Sequence, residues 1–276
     1  MRGNMLMLRI GHHISVSGGF AVSLERAHAI GYNTMQIFVS NPRAWSIKSI
    51  GLDEASKFAL KARSMDIEPV FAHMPYLPNF SSASDSVHQK SVKALRDTLL
   101  NCKALGIMYL VVHLGSHMGK GKQFGLRRIE SAINGIDTLN VTLLFENEAG
   151  QRNAMGSSIE ELLEVLDLVK TKNKGFCIDT CHAFAAGYDI RKEEVLDNMA
   201  KALSGKIKLI HLNDARFGLG SRLDRHAIIG KGFIGKEGIG NVLRKFAKTP
   251  FIMETSWKTN YEAAAELRLV KRLAHS

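Results

Sequence analysis

Short apolar runs alternate along this chain with longer stretches in which apolar residues recur at helical spacing. The runs, bounded by polar and turn-forming residues, predict strands. They fall at Leu6–Ile10, Thr34–Phe38, Pro69–Ala72, Tyr109–Val112, Thr142–Phe145, Gly175–Ile178, Ile207–Ile210 and Pro250–Met253. Between them, amphipathic periodicity predicts helices over Asp53–Met65, Val87–Leu105, Ile129–Leu139, Ile159–Val169 and Val195–Leu203. A last helix, Glu262–Leu273, follows the eighth strand. Strand-then-helix units repeated in one direction predict an α/β fold, a single closed (β/α)8 TIM barrel with its site at the C-terminal face of the strands. An open doubly wound sheet carries a glycine-rich turn after its first strand, and Gly18-Gly19 is too short for that fingerprint. No Pro/Gly/Ser-rich linker divides residues 1–276, so one domain is expected.

The residue that closes each later strand is unusual. In order these are His73, His113, Glu146, Asp179, His211 and Glu254, all of metal-ligand type. A single histidine in such a place is most often a satisfied core side chain. Successive strands ending this way form a pattern, because a parallel barrel gathers its strand ends around one mouth. No Lys or Arg closes any of these strands, so Glu146, Asp179 and Glu254 would lie together without a cationic side chain among them. Clustered carboxylates away from water demand a cation or proton. Histidines beside them suit zinc, with manganese or iron as substitutes.

Further donors follow. Asp179 and His182 stand three residues apart, and a turn leaving strand six would aim both into the mouth. In Asp224-Arg225-His226, alternation along an extended loop would point Asp224 and His226 one way and Arg225 the other. Cys177 and Cys181 flank Asp179, and the simpler reading makes them buried small side chains rather than ligands.

Composition sharpens this picture. The 276 residues, 45% hydrophobic, suit a barrel, and Lys plus Arg total 37 against 26 Asp plus Glu, a formal charge of +11. A basic surface suits a polyanion. Three cysteines argue against a disulfide framework and point to a reducing cytoplasm. No apolar run reaches membrane-spanning length and the first residues do not form a signal peptide, so a soluble protein without membrane partners is expected.

The motifs, taken together, resemble the endonuclease IV family of apurinic/apyrimidinic endonucleases. They run from Gly11-His12-His13-Ile14-Ser15 through Asn41-Pro42-Arg43-Ala44-Trp45, His73 to Leu77, His113-Leu114-Gly115-Ser116-His117 and Glu146-Asn147-Glu148-Ala149-Gly150-Gln151. The most specific are Cys177 to Tyr188, His211-Leu212-Asn213-Asp214-Ala215, Asp224-Arg225-His226 and Glu254-Thr255. The resemblance implies a three-zinc barrel. His73, His113 and a bridging Glu146 would hold a first zinc. Glu146, Asp179, His211 and Glu254 would hold a second, and His182, Asp224 and His226 a third. It implies cleavage 5′ to abasic sites in double-stranded DNA, leaving a 3′-hydroxyl and a 5′-deoxyribose phosphate, with trimming of blocked 3′ ends.

In that scheme a bridging hydroxide attacks, Glu146 orders the ions, and Glu254 helps orient or deprotonate the water. Asn41, Arg43, Trp45 and Tyr76, on the loops after strands two and three, would contact DNA and turn out the damaged nucleotide, with Arg225 as a further contact. Lys120, Lys122, Arg216, Arg222 and Lys231 would grip phosphates. His13 is expected to support the metals or touch DNA, whereas His12, His28, His88 and His275 are expected at the surface or in packing. The chain departs from the family pattern at Leu114, Glu148 and Lys231, where proline, threonine and an acidic residue are usual. A monomer in the cytoplasm, nucleoid-associated in a prokaryote, is expected. The main rival is a divalent-metal sugar isomerase or epimerase on a related barrel, which needs neither the third donor trio nor the basic surface. A non-catalytic DNA-binding barrel is the other.

Overall fold

The computed structural model describes residues 8–276. Its barrel strands are β1 (Ile10–His13), β2 (Thr34–Phe38), β3 (Val70–His73), β4 (Tyr109–Val112), β5 (Thr142–Glu146), β6 (Lys174–Asp179) and β7 (Ile207–His211). A two-stranded arm, β8 (Asp214–Ala215) and β9 (His226–Ala227), precedes the last barrel strand, β10 (Phe251–Met253). The eight barrel strands are parallel and close in the order β1-β10-β7-β6-β5-β4-β3-β2, so no edge is left unpaired. The wall of helices is α1 (Phe20–Ile30), α2 (Leu52–Ser64), α3 (Asp85–Leu105), α4 (Lys122–Asn134), α5 (Ile159–Leu168), α6 (Thr180–Ala186), α7 (Glu193–Ala202), α8 (Gly235–Lys245) and α9 (Asn260–Leu273).

The expected first strand, Leu6–Ile10, is corrected. Leu6 and Met7 lie outside the described residues, and the strand runs from Ile10 to His13 in register with β2. Gly11 allows that pairing: a Cβ there would sit 1.9 Å from the Thr34 carbonyl oxygen. The helix expected over Ile129–Leu139 begins earlier, at Lys122, and stops at Asn134. Its expected tail falls where Leu139 and Asn140 take φ values of 54° and 66°, a left-handed turn that no helix continues through. The structure also adds α1, α6 and α8 to the helices that periodicity delineates. Helix starts elsewhere follow side-chain caps: Ser84 accepts from Val87 N, Ser158 from Glu161 N, and Thr259 with Glu262 forms a capping box.

The pleat explains how the barrel makes a mouth. Phe71, Val111, Leu144, Cys177, Leu209 and Ile252 pack together as a cluster of fully buried side chains, one from each of β3, β4, β5, β6, β7 and β10. Their strand neighbours, such as Ala72, Leu110, Leu143, Phe176, Ile210 and Met253, belong to the separate large core packed against the helices. Side chains alternate along a strand, so the residue two beyond each member of the inner plug faces inward again. Those residues are His73, His113, Glu146, Asp179, His211 and Glu254. The plug is thus the dry floor on which the donor residues stand.

One buried carboxylate organises the rim beyond β7. Asp214 Oδ1 accepts from the backbone N–H of Ala215 at 2.8 Å, Ile234 at 3.0 Å and Gly235 at 3.3 Å. Its Oδ2 accepts from Gly230 N and Gly232 N, each at 2.9 Å. Gly232 lies so close that a Cβ would meet Ala215 O and Asp214 Oδ1 at 2.4 Å. The Gly230–Gly235 loop, carrying exposed Lys231 and Phe233, is therefore built around an internal anion. Asp214→Ala strands those N–H groups and is expected to lower stability by about 3 kcal/mol or more, read from urea denaturation. A loss below about 1 kcal/mol would mean that water replaces the carboxylate.

Candidate metal centre

Glu146 sits at the centre of the mouth with its side chain 1% exposed. Its Oε2 lies 3.3 Å from His73 Nε2 and 3.1 Å from His113 Nε2. Its Oε1 lies 2.9 Å from His211 Nδ1 and 3.6 Å from His182 Nδ1. One carboxylate therefore faces two sets of imidazoles, one through each oxygen. Glu254 enters from β10: its Oε2 is 3.4 Å from His211 Nδ1, and its Oε1 accepts from Gln36 Nε2 at 2.9 Å. Asp179, fully buried, accepts from His182 N through Oδ1 at 2.8 Å and from Asn213 Nδ2 through Oδ2 at 2.6 Å. The first of these bonds caps α6, so what leaves β6 is a helix rather than the expected turn, and it carries His182 to the mouth at its third position.

The arm supplies the remaining donors. Pairing of β8 with β9 folds His226 back beside Ala215, and Asp224 Oδ1 lies 3.2 Å from His182 Nε2 and 3.3 Å from His226 Nε2. Arg225, between them, is exposed. Among the described residues five groups gather ligand atoms within 4.8 Å of one another, and three of them contain no cysteine: His73, His113 and Glu146; Glu146, Asp179, His211 and Glu254; and His182, Asp224 and His226. Among the described residues the buried Nε2 atoms of His182 and His226 have no hydrogen-bond partner, although the same carboxylate oxygen faces both. Lone pairs and anionic oxygens converging without a donor between them fit divalent cations. Cys177 and Cys181 also lie near these groups. Both are buried, and burial pushes the Cys177 thiol up to about 12, which keeps it neutral.

Without a cation, protons compensate. Burial works against charging His113, yet the Glu146 and Glu148 carboxylates outweigh it and lift its pKa to about 9. His182 and His211 are likewise held well above the ordinary value against burial, the first by Asp179 and Asp224, the second by the Cys177 sulfur and then by Glu254 and Glu146. Burial opposes ionisation of Glu146 and Glu254 too, but the facing imidazoliums hold both carboxyls well below the usual range.

Sequence reasoning passed over several residues that position these groups. Gln36, two residues before the end of β2, donates to Glu254 and accepts from His211 Nε2 at 2.9 Å. Asn213 links Asp179 to Glu254, and Asn147 Oδ1 accepts from Asp179 N at 2.7 Å. Asn213 stands in a motif that carried the resemblance; for Gln36 the only signal was a polar residue at an inward position of a strand. His13 packs against Phe38, ring centroids 4.3 Å apart, and its Nδ1 lies 3.4 Å from Glu254 Oε1. His12 and His88 are buried in packing, and His28 and His275 are exposed.

The loops after β2 and β3 meet beside the mouth, where Tyr76 N donates to Pro42 O at 3.0 Å. Tyr76 is 66% exposed with its ring edge-on to Phe38, and Asn41 and Arg43 are exposed beside it. Trp45 is half-buried with the Lys90 ammonium 5.9 Å from its ring centroid. Lys120, Arg216, Arg222 and Lys231 are exposed, whereas Lys122 is engaged by Glu164 at 2.7 Å. Among the described residues no helix is long and apolar enough to cross a membrane.

Comparison with known proteins adds an independent line. The family model described as "Xylose isomerase-like TIM barrel" matches residues 24–273. A protein of Methanosphaerula palustris named "Probable endonuclease 4" is 42% identical over 97% of this chain and 99% of its own length. One of the same name from Cenarchaeum symbiosum is 39% identical over 97% of this chain and its whole length. Among solved structures, endonuclease IV from Thermus thermophilus superposes with a TM-score of 0.86 at 34% identity, covering 97% of this chain and 99% of that one. A D-psicose 3-epimerase, at 17% identity and a TM-score of 0.72, shares the fold alone.

The shifted groups set a pH dependence with a definite sign. A histidine whose pKa is raised on folding contributes stability that is complete below its ordinary value of 6.5 and is lost as pH rises through the folded value. For the lowered carboxyls the contribution is present above 4.5 and lost as pH falls. The metal-free protein should therefore lose thermal stability as pH rises from 6.5 through about 9, the window His113 defines. Cation-loaded protein, whose imidazoles need no proton, should keep its Tm across that window. Parallel falls in both forms would remove the histidine–carboxylate charges as the cause.

Proposed function

This chain belongs to the endonuclease IV family, and on that premise we propose that it is a DNA-repair hydrolase cutting the phosphodiester bond 5′ to abasic sites in double-stranded DNA. It leaves a 3′-hydroxyl and a 5′-deoxyribose phosphate, and trims blocked 3′ ends at the same mouth. The observation that carries the reading is the Glu146 carboxylate, whose oxygens face separate imidazole sets, with the His182, Asp224 and His226 trio alongside. His73 and His113 would hold one zinc with Glu146, and Asp179, His211 and Glu254 a second with Glu146. His182, Asp224 and His226 would hold a third. Bound there, the ions would supply Lewis-acid stabilisation of the phosphoryl and leaving oxygens and make water nucleophilic at neutral pH.

The chain's own groups do the rest. Glu146 fixes the spacing of the donor sets, because both of its oxygens are committed. Glu254 is more open than Glu146 and is held by Gln36, Asn213 and His13, which supports the reading that it would orient or deprotonate the attacking water. The plug beneath keeps bulk water from the floor, which strengthens every charge interaction above it. Arg43 and Tyr76 stand on the joined loops beside the mouth, suited to probing a duplex whose stacking is already broken at a missing base. Exposed basic side chains and a formal charge of +11 favour a phosphate backbone as partner.

Single-turnover cleavage of a defined abasic duplex, with end-group analysis, tests the reaction. Glu146→Gln at saturating enzyme is expected to cut at least about a thousandfold more slowly, and an unchanged rate would refute the assignment. Metal analysis is expected to find close to three ions per chain; one or two would favour sugar isomerase-type chemistry on this fold. Arg43→Ala should weaken binding to abasic duplex by about tenfold and to intact duplex much less. An equal loss on both would make Arg43 a general phosphate contact.

A further inference from the structure

Four imidazoles at the mouth, His73, His113, His182 and His211, turn one nitrogen to the donor groups and hold the other on a further acceptor. What holds the outer nitrogen decides how the ring is aimed and how strongly it donates. His73 has its outer Nδ1 on the Met74 carbonyl at 2.7 Å, and His182 has its Nδ1 on the Asn147 carbonyl at 2.9 Å. His211 has its outer Nε2 on the Gln36 side-chain oxygen at 2.9 Å. These acceptors are neutral.

His113 differs. Its Nδ1 lies 2.7 Å from Glu148 Oε1 while its Nε2 faces Glu146. It is also the ring that water reaches most easily, its side chain 33% exposed against 5% for His73 and 4% for His182. It borders a cleft of about 370 Å³ that Tyr76, Asn79, Ser116 and Gln151 help to line. A ring at an open cleft is the one most free to rotate or change tautomer. Glu148, itself only 14% exposed, is held against it from the next turn of chain after β5.

We propose that Glu148 is a positioning residue for the metal site of His73, His113 and Glu146. By accepting a hydrogen bond from His113 Nδ1–H it fixes the Nε2 lone pair on the cluster and makes that ring a stronger donor than its neighbours. The proposal rests on the metal reading above. It predicts that removing the charge on Glu148 loosens one ion and leaves the others untouched.

The test is a competition titration of the full chain with zinc against a chromophoric chelator, comparing wild type, Glu148→Gln, Glu148→Ala and His113→Ala. Glu148→Gln should weaken one zinc by about ten- to a hundredfold while the others keep their affinity and far-UV circular dichroism is unchanged. Glu148→Ala should weaken the same ion at least as much. In the His113→Ala background, Glu148→Gln should add nothing, since its effect runs through that ring. Unchanged affinities in Glu148→Gln, or an undiminished effect in the His113→Ala background, would overturn the proposal and leave the metal reading standing. A wild-type chain that takes up no zinc would overturn the metal reading itself.

Discussion

Glu146 places a charge where the structure leaves almost no water to solvate it. A lone buried carboxylate costs several kcal/mol even after relaxation, so the chain must bring positive charge to it. The barrel does this from several strands at once: His73, His113 and His211 arrive on β3, just past β4 and on β7, and His182 arrives on α6. Most other features of the mouth follow from that demand. The plug of Phe71, Val111, Leu144, Cys177, Leu209 and Ile252 makes the floor dry, which raises the demand. Gln36, Asn147 and Asn213 bind the outer faces of the same groups, so the donors cannot relax away from one another.

The same pleat that builds the floor made much of the site legible in the sequence. A strand alternates its side chains, so a polar donor after an apolar run reads as a residue standing above the barrel interior. That logic reached all of the strand-end donors, and the Asp224–His226 pair by the same alternation along the arm. It did not reach Gln36, because an amide on a buried strand resembles any polar substitution until its partners on β7 and β10 are seen. The resemblance to a known family singled out Glu148 as a departure, but its partner, the outer nitrogen of His113, is a contact across strands that no local pattern encodes.

Helices were less legible where tertiary contact outweighs local preference. In α8, Gly235, Gly238 and Gly240 argue against a helix. Yet a Cβ on Gly238 would come within 2.9 Å of Arg191 and Ile234 side chains, so glycine is what lets that helix dock. Short α6 is held by the Asp179 cap and by burial of nearly every residue, leaving no amphipathic stripe to read. The Leu6–Ile10 expectation misplaced β1 because an apolar run marks hydrophobicity, whereas the register is set by pairing of Gly11 with Thr34 and of His12 with Met35.

The charge distribution joins the mouth to the proposed substrate. The chain is strongly basic overall, with a formal charge of +11, while its mouth concentrates Glu146, Asp179, Asp224 and Glu254. At long range the net charge attracts a polyanion. At contact range the mouth's carboxylates oppose a phosphate unless they are compensated, by protons on the facing imidazoles or by cations. Divalent cations held by the donor groups would compensate the carboxylates and add attraction of their own. Phosphate in the mouth and cations on its floor would then favour each other by the same factor, because coupling free energy between two ligands is reciprocal. The trio of His182, Asp224 and His226, where Asp224 is 41% exposed, is the donor group that stands most open to whatever lies above the mouth.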